Sequence, residues 1–171
     1  MITYYLTLSQ VFPSTHPRAG EPTNFESAIK NAQMCAKCRK TPNMCMEECM
    51  DGFLKRHTMR ANYEYWRKRF EKIDAGEACL SIRQWVGKPY GKGSTQRELM
   101  RLTREDGIGI QKLCFPNRSN AFIDFPEKRI YIPFEVLANN DGLLLEDWCN
   151  WFRHYDLSKP MAIIHFTNYR Y

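Results

Sequence analysis

The apolar pattern opens with residues 2–8, a β-branched and aromatic run that predicts a strand. Pro13, Pro17, Gly20 and Pro22 make the stretch that follows a loop. Asn24 stands where it caps a short helix ending near Ala32, with Glu26 close to the positive helix end. Residues 55–60 alternate and predict a strand. From Asn62 the period changes: Tyr63, Trp66, Phe70 and Ile73 fall on one helical face, and Gly76 is the stop. Residues 77–85 alternate again, with Ala78, Leu80, Ile82 and Gln84 on one face and Cys79, Ser81, Arg83 and Trp85 on the other. A glycine-rich loop carrying Lys88 and Tyr90 follows. Strands are predicted at 96–104 and 108–115 around a turn at Asp106-Gly107, and two more flank residues 126–128. Helices at 134–139 and 145–154 and a last strand at 161–169 complete the pattern.

Short strands with helices set between them, and no regular βαβ alternation, point to an α+β domain. A small β-barrel with peripheral helices fits this order. The 171 residues and 20.3 kDa suit one domain, residues 1–171. No apolar run approaches the roughly 20 residues of a membrane span. Residues 1–12 carry no Lys or Arg ahead of their apolar positions, unlike a secretory signal. A soluble, cytoplasmic protein with no membrane partner is therefore expected.

Charge changes the picture more than composition does. The net charge is +6, and residues 81–104 hold six cations against Glu98 alone. That concentration favours a polyanionic partner and equally suits a solvated face.

Lys55, Thr58 and Arg60, with Gly52 ahead of them, resemble the signature of the ASCH domain, a relative of the PUA RNA-binding domain. The family pattern is Gly, then Lys, with Thr and Arg three and five positions later. Here Gly52 stands one residue further back than usual. A short helix before the motif, strand-rich sequence after it and the Asp141-Gly142-Leu143 step before a late helix follow the family's order. The resemblance implies a PUA-like pseudo-barrel whose signature residues face a cleft between sheet and helices. It implies as ligand RNA, a nucleotide or a modified nucleoside.

The residue chemistry agrees with that implication. Lys55 and Arg60 are donors for phosphate or carbonyl oxygens, and an arginine plane stacks on bases. Thr58, Arg83, Trp85, Lys88 and Tyr90 complete the candidate ligand set, with aromatics to sandwich a base. Tyr63 falls on an apolar helix face and suits the core better; Trp85 suits either place.

One branch of the family resembles an amidohydrolase that deacylates modified cytidine, using the signature Lys and Thr and a downstream Glu. The matching positions here are Lys55, Thr58 and Asp141, so the carboxylate is one methylene shorter than the family's. Displacement of a catalytic group by about 1 Å can cost on the order of 100-fold in rate. A binding module therefore ranks first and the amidohydrolase second.

Seven cysteines, an odd number with no secretory signal, argue against a disulfide framework. Four cluster as Cys35-x2-Cys38-x6-Cys45-x3-Cys49. A C-x2-C hook supplies two thiolates from one turn, and Pro42-Asn43 turns the second pair back toward it, which favours structural zinc over free thiols or redox disulfides. Residues 34–50 then form a cysteine-rich insertion stabilised by its own metal, and docking of a protein partner on it is a third functional possibility. Cys79, Cys114 and Cys149 are isolated and expected in the core.

Overall fold

The computed structural model describes residues 1–37, 53–87, 89, 91–117 and 119–171. These residues form eight strands in two sheets and four α-helices. Among them, no helix is long and apolar enough to cross a membrane.

The first sheet has the order β1-β3-β4, from β1 (Ile2–Thr7), β3 (Ala78–Val86) and β4 (Thr95–Leu102). β1 runs parallel to β3, with Ile2 opposite Ala78 and Thr7 opposite Arg83. β4 returns antiparallel, with a register shift between Ile82 and Arg83. The predicted alternation places its core face correctly: Leu80, Ile82 and Gln84 are buried. Cys79 and Ser81, on the opposite face, are buried as well.

The second sheet is antiparallel throughout, in the order β2-β8-β5-β6-β7. Its strands are β2 (His57–Arg60), β5 (Gly109–Asn117), β6 (Asn120–Asp124), β7 (Arg129–Ile132) and β8 (Met161–His165). The chain crosses between sheets at the 3-10 turn Arg104–Asp106, so β4 and β5 do not pair with each other. Both sheets keep open edges, and the described residues form no closed barrel.

The helices are α1 (Phe25–Lys37), α2 (Tyr63–Asp74), α3 (Phe134–Asn140) and α4 (Leu145–Phe152). α1 continues past the expected end at Ala32 and carries Cys35 in its last turns. Asn62 caps α2 as expected, its side chain accepting from the Tyr65 amide. Trp66, Phe70 and Ile73 bury the apolar face of α2, and Tyr63 packs half-buried against the same core. That core is shared by both sheets, from Leu6 and Leu80 to Leu113 and Ile163.

Candidate functional site

β1 lies at the edge of one sheet and β2 at the edge of the other, and the side chain of Arg60 spans the seam between them. Its Nη2 donates to the Thr7 carbonyl at 2.8 Å. Its Nη1 donates to the Thr58 hydroxyl at 2.9 Å and to the Met59 carbonyl at 2.8 Å. Strand alternation puts Thr58 and Arg60 on the same face of β2, which lets one residue hold the other.

Lys55 enters just ahead of β2. Its amide donates to the Ala28 carbonyl of α1, and its backbone bridges that of Asp141, at the C-terminal end of α3. The side chain is 1% exposed, which for a lysine demands a partner. Nζ donates to the Asp141 carbonyl at 2.6 Å and makes a short ion pair with its Oδ1. It also lies 3.8 Å from the centre of the Phe25 ring. Gly142 makes the approach feasible: its φ is 75°, and a Cβ there would sit 3.2 Å from the Lys55 Cβ.

Lys55, Thr58, Arg60 and Asp141 line one cavity of about 210 Å³. Its apolar walls come from Phe25, Trp151, Phe152 and Tyr155, with the Thr7–Ser9 segment along the rim. Trp151 is braced by Phe12 and Phe25, with ring centroids 5.8 and 5.7 Å away. His16, in the proline-rich loop, stacks on Phe12 and bonds the Asp147 carbonyl of α4 through Nε2, so this loop closes over the aromatic wall.

No known protein family, characterised protein or solved structure matches this chain.

The electrostatics are those of a desolvated ion pair. Burial pushes the Lys55 ammonium down and the Asp141 carboxyl up, each toward its neutral form, while each partner's charge pulls the other back. Arg60 reinforces the Asp141 carboxylate and opposes the Lys55 charge. The Arg60 guanidinium is itself pulled down by burial and remains cationic. The Thr58 hydroxyl accepts from Arg60, and its own proton has no acceptor among the described residues. The cavity thus presents a hydroxyl donor and a lysine-held carboxylate between aromatic walls.

Behind Asp141, Asn140 is fastened from three sides. The Arg56 amide donates to its carbonyl at 2.7 Å, and Arg56 Nη1 donates to its Oδ1 at 2.8 Å. Asn140 Nδ2 donates to the Tyr171 hydroxyl at 3.1 Å, and that hydroxyl lies 2.7 Å from His57 Nε2. His57 faces His165 across the β2–β8 ladder, and both are fully buried.

Not every expected residue joins the pocket. Arg83 lies over the Tyr5 ring at 4.1 Å and donates to the Ser81 hydroxyl, and neither it nor Trp85 lines the cavity. Gly52, Lys88 and Tyr90 lie outside the described residues, as do Cys38, Cys45 and Cys49. Cys35 is half-buried and forms no disulfide among the described residues. Of the isolated cysteines, Cys79 is buried as expected, whereas Cys114 is only half-buried and Cys149 is exposed. Among the described residues no group of three or more His, Cys, Asp or Glu is arranged to hold a metal.

The aromatic wall is what sequence reading missed. Trp151 and Phe152 carry a helical-face signal that reads as core, and Phe25 directly follows a helix-start residue. Tyr155 carries no periodic signal at all.

Proposed function

We propose that the cavity binds the base of a nucleoside or nucleotide, free or carried by RNA. The observation that supports this is the convergence of Lys55, Thr58, Arg60 and Asp141 on one small cavity with aromatic walls. Planar heteroaromatic rings favour such walls, and the hydroxyl and carboxylate offer the donor and acceptor that read a base edge. Arg60 serves mainly to hold the site together, since both terminal nitrogens are engaged by protein oxygens.

The fold is proposed to be a member of the ASCH/PUA-like type, with its pseudo-barrel built from the two open sheets. The four clustered cysteines are proposed to bind one structural zinc. A cytoplasmic location belongs to the same proposal, because a reducing compartment keeps the clustered thiols available as ligands rather than as disulfides.

A second reading is favoured by the Thr58 hydroxyl sharing its cavity with the Lys55–Asp141 pair. An acylated exocyclic amine would then be the substrate. Thr58 Oγ would bond to the amide carbonyl carbon while its proton passes to a neutral Lys55 amine. The C–N bond would break as that proton reaches the leaving nitrogen, and water would cleave the resulting ester.

Incubation with unmodified and N-acylated nucleosides tests both readings together. Saturable binding without product supports the binding module. Release of free nucleoside, abolished in Lys55→Met, would replace it with the amidohydrolase. No binding and no product would reject both.

A further inference from the structure

The 210 Å³ cavity lies below the roughly 300 Å³ at which small-molecule sites usually begin. With a base in it, a sugar and phosphate would have to extend beyond it. A second cavity of about 650 Å³ abuts the first, with Tyr155 in the wall of both. The chain itself joins them, because Arg60 lines the first and Ala61 the second.

The second cavity is lined by Asn62, Tyr63, Lys112, Tyr155, Asp156 and Lys159, among others. Two tyrosines line it, Tyr63 half-buried and Tyr155 exposed. Lys112 is tied to Asp124 at 2.9 Å, whereas Lys159 is exposed, makes no close ion pair among the described residues and acts on the neighbouring Asp156 carboxylate through its charge alone. The carboxylates of Glu64 and Asp156 share this wall, so the site is not a bare anion trap. Two tyrosines, an exposed ammonium that makes no close ion pair among the described residues and acceptors for hydroxyl groups suit a second nucleotide better than an isolated phosphate.

We infer that the second cavity is the subsite for the neighbouring nucleotide, so that the natural ligand is a single-stranded oligoribonucleotide with one base in the first cavity. The inference rests on the nucleobase reading of that first cavity. The neighbouring base stacks on Tyr63 and Tyr155, and Lys159 meets the intervening phosphate.

Calorimetric titration of the four ribonucleosides and of the four homodinucleotides against the full chain tests this. The best dinucleotide is expected to bind at least about tenfold tighter than its own nucleoside, the scale of one stacked base. Tyr63→Ala and Lys159→Glu should each leave nucleoside affinity unchanged and remove most of that gain. Lys159 is exposed, so its variant stays informative if the partly buried Tyr63 variant folds poorly. Nucleoside binding with no dinucleotide gain, or a gain that survives in both variants, overturns the subsite and leaves the first cavity's assignment standing. Absence of binding by every probe overturns both.

Discussion

The Arg60 Nη2 to Thr7 carbonyl hydrogen bond, at 2.8 Å, joins the edge strands of two sheets that share no backbone ladder. One guanidinium therefore closes the seam at which the candidate site lies. Arg60→Met should remove three hydrogen bonds and leave shielded carbonyls without donors, destabilising the fold by about 2–4 kcal/mol. Arg60→Lys keeps the charge without the two-pronged reach and should recover less than half of that loss. Urea unfolding of the three proteins measures it. A change below about 0.5 kcal/mol in Arg60→Met would show that the seam does not depend on this residue.

Lys55 and Asp141 should behave as a buried pair whose halves need each other. Lys55→Met alone should cost about 3–5 kcal/mol, because it strands a carboxylate without its counter-ion. The double variant Lys55→Met/Asp141→Leu should be more stable than that single variant. If the double is the less stable by the full sum of the singles, the two side chains are not coupled.

The histidine pair predicts an acid sensitivity with a definite sign. Burial pulls His165 down to about 3 and His57 well below its usual value. The unfolded chain, with histidines near 6.5, binds protons first as the pH falls. Their contribution to stability is thus complete above about pH 6.5 and declines below it, by up to about 1.4 kcal/mol per pH unit for each histidine. His165 also has both ring nitrogens without a partner among the described residues, which makes its replacement by a ring of similar shape tolerable. Unfolding curves at pH 7.5, 6.5 and 5.5 should show a shallower loss in His165→Phe than in the wild type. Identical slopes would contradict the assignment.

The metal expectation stands on spacing alone. Protein prepared without chelator should carry about one zinc per chain, and Cys38→Ser should lower that content while the two-sheet core still unfolds cooperatively. Elemental analysis without zinc, with all four thiols reacting equally, returns residues 34–50 to an ordinary cysteine-containing loop.

Much of the local structure was legible because its causes are local. Period-two alternation marks β3, and the spacing of Trp66, Phe70 and Ile73 marks α2 down to its Asn62 cap. The end of α1 was misplaced because no glycine or proline stops it near Ala32, and the helix runs on to Lys37. Strand partners were not legible. Residues 96–104 and 108–115 read as two strands around a turn, and they lie in different sheets, which the local pattern does not specify because pairing is decided by which face each strand buries. At the site, the Lys-x2-Thr-x-Arg spacing and the Asp-Gly step identified the four polar residues from opposite halves of the chain. The rings around them escaped because a pocket-lining tryptophan and a core tryptophan follow the same helical period. Arg83 and Trp85 were drawn in by charge and aromaticity, and strand geometry sends them elsewhere.

The central claim is that the cavity holding Thr58 and the Lys55–Asp141 pair takes a nucleobase. Thr58→Val tests it most directly, since it removes the hydroxyl and keeps the shape of the side chain. Titration of wild type and Thr58→Val with the tightest-binding nucleoside should show saturable binding that weakens about tenfold or more in the variant, as expected when a bond to a buried polar group is lost. Equal affinity in the two proteins, or no binding to the wild type by any nucleoside, would contradict the claim.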